Sequence, residues 1–450
     1  MAQGETILVD DLVDRQQLTG RNYFVLALLL VALICDGFDL QLVAFAAPRL
    51  AKEWNLAPSS FLQYVQSINL LGMMFGATFF GNLGDRLGRK RPIVGGTLLY
   101  AGMSLLCVLV HNPTQLAVLR FLTGLGLGGV LPNVIALTAE ISPTAQRARL
   151  TSVPIIGMSL GSGLPALVAA WLVPTHGWHA LFIAGGILPI LVALLIAWKL
   201  PESILFLAFR NRDRGEIAAR ARELAPQLEL TADTHFALRG KDGTTSRGSI
   251  RDLFAGGLKF ITPLLWLVFA CTLLSMHFNN SWMSVILNEA GLSEVQTAFT
   301  NGAMHWGGAV AAVVTVFVLG RIGRYWALVL LLLGLAGLMI ASAAFGHTPL
   351  LLLAVSMAGF GIIGCQGVLN ASAGLIYPVS CRSTGAGAAL GIGRIGSLSG
   401  PLLGGYIQAR HWPSHSMFYV PLLPLAIAAA ATWLLIARGV EIRSESQRQA

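Results

Sequence analysis

Twelve long apolar stretches divide the chain, and they restrict its fold more than any other feature. A helix that crosses the hydrocarbon core of a bilayer needs about 20 mostly apolar residues. The sequence therefore predicts an all-α membrane protein with twelve transmembrane helices, which we number as spans 1 to 12. In chain order we place them at residues 22–48, 60–83, 92–111, 114–139, 150–173, 178–200, 260–287, 297–319, 325–346, 349–376, 384–408 and 416–437.

The composition supports this interpretation and excludes several other classes of protein. Hydrophobic residues make up 55% of the 450 residues, and charged residues make up only 11%. In a typical soluble protein about one quarter of the residues are charged. A disordered chain, a disulfide-stapled module and a soluble enzyme are therefore not expected. The five cysteines lie in or at the ends of apolar segments without a CxxC pair, so neither a disulfide nor a metal site is expected.

The distribution of Lys and Arg predicts the orientation in the membrane. If the N-terminus is inside, 25 of the 30 Lys and Arg residues fall in inside segments, and only Arg49, Lys52 and Arg410 fall outside. Cytoplasmic loops of membrane proteins carry an excess of basic residues. Both termini are therefore expected in the cytoplasm. The net charge of +9 reflects this topology, so the expected surroundings are a lipid bilayer and no nucleic-acid partner is expected.

A sequence repeat relates the two halves of the chain. After span 2 comes Gly84-Asp85-Arg86-Leu87-Gly88-Arg89, and after span 8 comes Leu319-Gly320-Arg321-Ile322-Gly323-Arg324, so Asp85 corresponds to Gly320. The same register relates Pro143-x-x-x-Arg147 to Pro378-x-x-x-Arg382, and Gly126-x-x-Gly129 to Gly361-x-x-Gly364. We therefore expect two pseudo-symmetric six-helix bundles, with a binding site between them near the bilayer midplane.

The repeat also predicts the organisation of the remaining segments. The two bundles are expected at residues 22–200 and 259–437, joined by a charged cytoplasmic linker at 201–258. A surface helix is expected within this linker, near residues 213–225. Polar tails at 1–21 and 438–450 complete the chain, and the first of them lacks the features of a cleavable signal peptide.

Several motifs resemble those of the major facilitator superfamily. The loop after span 2 reads Gly81-x-x-x-Asp85-Arg86-x-Gly88-Arg89-Lys90, span 4 contains Arg120-x-x-x-Gly124-x-Gly126, and span 6 is followed by Pro201-Glu202-Ser203. In span 1, Asp36-Gly37-Phe38-Asp39 followed by Phe45-Ala46-Ala47-Pro48 resembles the aromatic acid:proton symporter family. Arg382 and Arg394, which lie around span 11, strengthen that resemblance.

The resemblance implies a function as well as a fold. It implies a proton-coupled importer of aromatic carboxylates such as hydroxybenzoates, which works by alternating access in a bacterial inner membrane. The proton gradient would drive it without a cofactor, and a monomer is expected to suffice. The alternatives are an importer of another organic anion or of a sugar, and a drug exporter that exchanges protons. The motifs HExxH and GxxxxGK[ST] are missing from the sequence, which argues against a zinc metalloprotease of that type and against a primary pump, and no enzyme is expected.

Two carboxylates in span 1 are the strongest candidates for proton coupling. Asp36 and Asp39 are three residues apart, so their side chains lie close together on one helix. An ionised carboxylate inside a membrane helix costs about 2.5–3.5 kcal/mol on insertion scales, which suits a reversible protonation site. The alternative is that the outer end of span 1 is wet and that both are ordinary solvated acids. Glu140, at the end of span 4, is a further candidate, although a plain helix-end role fits it equally.

Two arginines are predicted within spans, and both are candidates for substrate binding. Arg120 lies at a depth in span 4 similar to that of the Asp pair, so an Arg–Asp ion pair is expected there, either coupled to protonation or purely structural. Arg394 lies near the middle of span 11, which contains no acidic residue. A guanidinium group binds a carboxylate in bidentate geometry, so Arg394 is the predicted anchor for an anionic substrate. Its alternatives are helix carbonyls and the span-1 aspartates.

Further candidates are weaker, because aromatic and polar residues in membrane helices usually serve packing. Rings and amides of this kind could contact an aromatic, hydroxylated substrate: Phe38, Asn133, His277, Asn280, His305, Trp306, Gln366 and Asn370. His305 is also a candidate proton relay. Residues at the cytoplasmic helix ends could form an inner gate: Gly81, Asp85, Arg86, Gly88, Arg89, Arg147 and Arg382.

Overall fold

The structure is a computed structural model that describes residues 6–56, 58–209, 214–224, 235–237, 250–322, 325–377, 382–410 and 412–438. Within these ranges the chain is almost entirely helical. The helices are α1 Val9–Arg15, α2 Gly20–Glu53, α3 Pro58–Leu87, α4 Lys90–Leu106, α5 Pro113–Glu140, α6 Arg147–His176, α7 His179–Lys199, α8 Ile204–Phe209, α9 Arg214–Leu224, α10 Leu258–Glu289, α11 Glu294–Ile322, α12 Trp326–Ala343, α13 Thr348–Ile376, α14 Arg382–Gln408 and α15 Leu422–Ala437. Two short strands, β1 Thr6–Leu8 and β2 His235–Ala237, pair in parallel.

The predicted twelve-helix fold is confirmed. Spans 1 to 6 correspond to α2–α7, and spans 7 to 12 correspond to α10–α15. In the described part of the chain, nine helices are long and apolar enough on their own to cross a membrane. The other three long helices, α3, α11 and α14, carry more glycine and polar residues, and each of them lies at the boundary between the two halves.

Local sequence signals explain where several helices begin and end. Pro113 occupies the first turn of α5, where its missing N–H is not needed. The side chain of Asn112 caps this helix by accepting a hydrogen bond from the Gln115 N–H at 2.9 Å. At the end of α6, Gly177 has a φ of 70°, a left-handed conformation that a glycine adopts without steric cost.

The internal repeat is visible in how α3 packs on α5. Gly72 of α3 lies against the carbonyl of Phe121. In the register that aligns Asp85 with Gly320, the equivalent of Gly72 is Gly307 of α11, which lies against the carbonyl of Ser356. Close approach of this kind requires a residue without a side chain. The α3–α5 and α11–α13 pairs are therefore built from the same contacts in each half.

A second set of contacts repeats between the first and fifth helices of each half. Gly161 of α6 lies against the carbonyl of Ile34 in α2, and its equivalent Gly396 of α14 lies against the carbonyl of Ala270 in α10. These contacts align Ile34 of α2 with Ala270 of α10. Equivalent positions in the two bundles can therefore be compared residue by residue.

The two bundles meet in the half of the molecule that is remote from the α3–α4 and α5–α6 connections. We call the end with these connections the basic end, and the other the opposite end. Toward the opposite end, Trp306 of α11 packs on Gly163 of α6, and Gly302 approaches Ala166. A salt bridge of 2.7 Å joins Arg49 of α2 to Glu294 of α11. The opposite end is therefore closed in this structure.

A small cluster at the basic end includes part of the predicted N-terminal tail. Apolar residues of α1, α8 and α9 form a separate buried cluster, which we call the terminal cap: Val9, Leu12, Val13, Ile204, Phe206, Leu207, Ala208, Ile217 and Ala221. Gln16 donates to the carbonyl of Ile141 at 2.8 Å, and Asp14 accepts two hydrogen bonds from Thr144. The start of the chain is thereby attached to the linker and to the α5–α6 connection. The predicted linker helix corresponds to α9.

Charge also attaches the terminal cap to the first bundle. Glu223 of α9 forms salt bridges with Arg21 at 2.8 Å and with Arg220 at 2.6 Å. Partial burial raises the pKa of the Glu223 carboxyl, but the two guanidinium groups outweigh this and hold its pKa below the ordinary value. Exposed pairs of this kind each contribute little to stability.

The glycine contacts give a test of the packing. Gly161→Ala would place a methyl group into the Ile34 carbonyl, and overpacking of this kind costs about 1–3 kcal/mol. We expect a lower melting temperature for the purified protein. Gly102→Ala in α4 is the matched control, because nothing lies within 4 Å of that position. Equal melting temperatures for the two variants would contradict the packing described here.

Candidate functional site

A buried ion pair lies inside the first bundle. Arg120 of α5 donates through Nη1 to Oδ2 of Asp39 in α2 at 2.9 Å, and both side chains are 0% exposed. The Phe182 ring lies under the guanidinium group, 5.3 Å from its carbon, and Cys107 Sγ lies 3.6 Å from Nη2. The charge of Asp39 is thus balanced within its own bundle.

Asp36 lies one turn earlier in α2 and faces a different environment. It is 3% exposed, and among the described residues its Oδ1 has no hydrogen-bond partner. Tyr100 of α4 lies beside it, and Asp39 is a second carboxylate nearby. Asp36 also reaches a small cavity between the bundles. The cavity is lined by Asp36, Leu40, Met73, Leu127, Gly128, Leu131, Met158 and Arg394.

Arg394 is the contribution of the second bundle to this cavity. It extends from α14, is partly buried, and has no carboxylate within ion-pair distance in the described part of the chain. The cavity therefore has a carboxyl group on one wall and a guanidinium group on the other, from different bundles.

The predicted gate residues converge on Arg89 at the basic end. Arg89 forms salt bridges with Asp85 at 2.7 Å and with Glu140 at 2.9 Å, which ties α3, α4 and α5 together. Glu202 completes this arrangement by accepting hydrogen bonds from the backbone N–H groups of Arg89 and Lys90 at the start of α4. A carboxylate is favourable at a helix N-terminus.

Gly88 has a structural reason to be glycine. Its φ of 94° lies in the left-handed region, and a Cβ atom there would collide with the Glu202 carboxylate. The sequence motif contained Glu202, but its role was not predicted, because a short motif after a span does not reveal which loop it contacts.

The other predicted gate residues are less engaged. A Cβ atom at Gly81 would meet open space, so packing does not require glycine there. Arg86 is exposed, and Arg147 donates to the Ser142 carbonyl at 3.5 Å. Arg382 begins α14, but its side chain lies outside the described residues.

Two predicted substrate contacts also take part in helix packing. The amide of Asn133 donates to the carbonyls of Phe80 and Gly129 at 3.1 and 2.8 Å, which links α5 to α3. The substrate contact that we expected of Asn133 stays a prediction. The indole of Trp306 packs on Gly163 across the bundle interface and does not line the cavity.

The remaining predicted contacts lie in or beside the second bundle, except Phe38. Phe38 belongs to the apolar cluster that spans both bundles. Asn280 and His305 are buried at 1% and 2% exposure, and each has a side-chain atom without a partner among the described residues. In α13, Gln366 donates to Asn370 at 3.0 Å.

Four residues around the Asp pair were missed from the sequence. Tyr100, Ser104 and Cys107 belong to α4 or its end, and Phe182 belongs to α7. Ser104 adjoins Asp39, as Tyr100 adjoins Asp36. Spans 3 and 6 showed no charge or motif that would single these residues out, so only the packing of the helices reveals them.

Comparison with known proteins identifies the fold family. The model of the Major Facilitator Superfamily matches residues 29–389 and, in a second match, residues 265–450. The chain belongs to this superfamily. It is a multi-pass membrane transporter, and the second match begins in the second half, as expected of a chain with an internal repeat.

Individual relatives extend over nearly the whole chain. A gallate transporter of Pseudomonas putida is 35% identical over 94% of both chains. The 4-hydroxybenzoate transporter PcaK of the same species is 33% identical over 94% of this chain and 95% of its own. Among solved structures, a bacterial homologue of the human lysosomal transporter Spinster in an inward-facing, occupied conformation has a TM-score of 0.69. It is 16% identical and covers 94% of this chain and 98% of its own, which supports the superfamily's fold.

The buried ion pair generates a prediction about stability. Asp39→Leu or Arg120→Met alone leaves one buried charge without its partner, which costs about 3–5 kcal/mol. The double variant removes both charges and is expected to melt well above either single variant. Melting temperatures of the four purified proteins complete the cycle. Additive losses in the double variant would mean that the two side chains do not stabilise each other.

Proposed function

We propose that this transporter imports aromatic carboxylates together with protons. The observation that carries the proposal is the shared cavity of Asp36 and Arg394, which lies between the two bundles of the superfamily fold. Ionisable groups within the membrane mark substrate and proton pathways. The named relatives, which transport gallate and 4-hydroxybenzoate, favour an aromatic acid as the substrate.

The proposed coupling rests on competition for positive charge. While Asp36 is ionised, it presents a negative charge to the same cavity as Arg394 and disfavours an anion there. A proton on Asp36 removes that charge, so a substrate carboxylate can bind Arg394 in bidentate geometry. Proton and substrate then enter the cavity as an electrically balanced pair. Asp39 does not serve as the switch in this scheme, since Arg120 already balances it.

The proposed orientation follows from the basic residues. The basic end faces the cytoplasm, in keeping with the excess of Lys and Arg in cytoplasmic loops, and the membrane is the bacterial inner membrane. Arg49–Glu294 then closes the outer side, and the Arg89 network lies at the inner gate. Glu140 belongs to this gate in the proposal and is not the coupling acid, because it pairs with Arg89 far from the cavity.

Two alternatives stay open to experiment. A sugar is uncharged, so a sugar importer does not need an arginine that lacks a carboxylate partner among the described residues. The positive charge of this arginine also disfavours an exporter of cationic drugs. An importer of aliphatic organic anions would use the same arginine. The argument against it is the similarity of this chain to transporters of aromatic acids. A counterflow assay with labelled aromatic acid distinguishes import from export.

The first test concerns coupling. Asp36→Asn mimics the protonated state, so we expect loss of substrate accumulation against a gradient in proteoliposomes. Exchange of substrate between the two sides should persist, since the anchor is intact. The wild-type protein should take up more substrate when the outside is acidified, and a protonophore should abolish the accumulation.

Asp85→Asn is the control for this experiment, because Asp85 lies at the basic end, away from the cavity. It removes a carboxylate from the gate and is expected to slow accumulation and exchange together. Accumulation by Asp36→Asn at the wild-type level would refute the coupling role.

The second test concerns the anchor. A charge-assisted hydrogen bond contributes about 1.5–3 kcal/mol, so Arg394→Ala should weaken binding of an aromatic carboxylate roughly ten- to hundredfold. Arg394→Lys keeps the charge but loses the planar fork, and an intermediate loss is expected. Titration calorimetry with the acid and its uncharged amide provides the measurement.

The amide serves as the internal control for Arg394. The wild-type protein should prefer the acid over the amide, and Arg394→Ala should bind the two almost equally. A variant that keeps the wild-type preference would show that the carboxylate is bound elsewhere, with Arg120 the next residue to examine.

A further inference from the structure

A second cavity lies at the basic end, and the proposed transport scheme makes no use of it. Its volume is about 500 Å³, and none of its described lining residues belongs to the cavity of Asp36 and Arg394. Residues from the start of α4, from the end of α7 and from α8 and α9 of the terminal cap line it. A cavity of this size has room for a small polar group.

Two basic side chains of this cavity lack an acidic partner. Lys90 and Arg91 are the first two residues of α4, and both line the cavity. Within the described ranges, neither of them forms a salt bridge. A third basic residue of the cavity, Arg220, is already paired with Glu223 at 2.6 Å. The available positive charge therefore comes from α4.

Two carboxylates also line the cavity, and one of them is already engaged. Glu202 accepts hydrogen bonds from the backbone N–H groups of Arg89 and Lys90. The other, Glu216, lies in the first turn of α9 and is exposed. When the engaged groups are set aside, two cations remain against one carboxylate. A ligand with a single net negative charge would balance them.

Neighbouring residues indicate that the cavity lies at the level of the lipid headgroups. Trp198 is 74% exposed and lies between Ala197 and Leu200, which both line the cavity. The ammonium group of Lys199 lies 3.6 Å from the centre of the Trp198 ring. Exposed tryptophans are enriched where a membrane meets water, and a lysine at a helix end extends its charge toward that boundary.

Exposed apolar surface continues from the cavity toward the middle of the membrane. On α4, Leu98 lies two turns deeper than Arg91 on the same face of the helix and is exposed. On α7, Leu194 and Leu191 follow Ala197 at intervals of three residues and are both exposed. The two helices pack against each other. Acyl chains could therefore extend along them from a headgroup in the cavity, which a soluble anion would not require.

We propose that this cavity binds the headgroup of an anionic phospholipid such as phosphatidylglycerol, with Lys90 and Arg91 contacting the phosphodiester. The guanidinium group of Arg91 can bind two phosphate oxygens at once, and basic pockets at the ends of membrane helices bind anionic headgroups. The single negative charge of the phosphodiester balances the local excess of positive charge. The hydroxyl groups of the glycerol can donate to Glu216. The bound lipid would link the terminal cap to α4 and α7.

The experiment measures lipid binding to the purified full-length protein in detergent by native mass spectrometry. Dioleoyl phosphatidylglycerol is titrated beside dioleoyl phosphatidylcholine, which has the same chains and phosphate but no net charge. Glycerol 3-phosphate is the third probe, since it carries a phosphate without acyl chains. We expect phosphatidylglycerol to bind more tightly than phosphatidylcholine by roughly fivefold or more, and more tightly than glycerol 3-phosphate.

The double variant Lys90→Gln/Arg91→Gln should lower the affinity for phosphatidylglycerol by roughly tenfold or more. Its matched control is Arg149→Gln/Arg222→Gln. These two arginines are exposed at the same end of the molecule and do not line the cavity, so the control removes an equal charge. Its affinity should stay within about threefold of the wild type, because salt screens distant charges.

Ala197→Trp tests the cavity without a change of charge, and it serves if the double variant does not fold. Ala197 lines the cavity and is exposed, so a larger side chain can be accommodated while it occupies the space for the headgroup. We expect it to weaken binding of phosphatidylglycerol as well.

Three results would overturn the proposal. Equal affinity of the wild-type protein for the two lipids would show that the cavity does not select an anionic headgroup. An equal loss in both double variants would indicate a general attraction to the basic end. Binding of glycerol 3-phosphate as tight as that of phosphatidylglycerol would identify a site for a soluble phosphate.

Discussion

The buried pair of Asp39 and Arg120 determines which charges are available between the bundles. Charged groups away from water are costly unless they are paired, and these two satisfy each other between α2 and α5. Asp36 lies three residues before Asp39, which turns its side chain about 60° around the same helix. The pair thus fixes α2 in the rotation that presents Asp36 to the cavity, where Arg394 is the opposing charge.

The internal repeat is evident in the helix packing of the two bundles, but their charged residues differ. In the registers shown by the glycine contacts, Asp39 corresponds to Ser275 and Arg120 to Val355. The second bundle therefore lacks the equivalent ion pair, and its charge in the cavity comes from a different helix through Arg394. The proposed function, in which a proton and an anion bind together, needs cavity walls with different charges. The two bundles provide such walls, because their helices pack alike and their side chains differ.

The sequence was sufficient for the helices, because apolar length and the basic loops identify them directly. It also predicted the repeat, since close-packed glycines leave a register that survives in both halves. The sequence could not assign Asp36 and Asp39 to different environments. Their separation of three residues is the same whether they face one partner or two, and the partners Tyr100 and Ser104 come from a span without any distinctive residue.

An isolated polar residue can have two uses that the sequence does not distinguish. Asn133 was predicted at the substrate, and its amide nitrogen also satisfies helix carbonyls. The terminal cap was missed for a related reason. Its apolar residues come from α1 and from two helices that follow the whole first bundle in the chain, so neither segment shows a sufficient apolar face by itself.

The salt bridges differ in whether a movement of the two bundles would break them. Arg49–Glu294 joins the two bundles, and its side chains are 32% and 61% exposed. A pair so accessible to water contributes only about 0–1 kcal/mol, so the two bundles can separate at the opposite end at little electrostatic cost. Arg89–Glu140 and Asp39–Arg120 each lie within the first bundle and can persist while the bundles move. A ligand that binds one arrangement of the two bundles better than another shifts the population toward that arrangement.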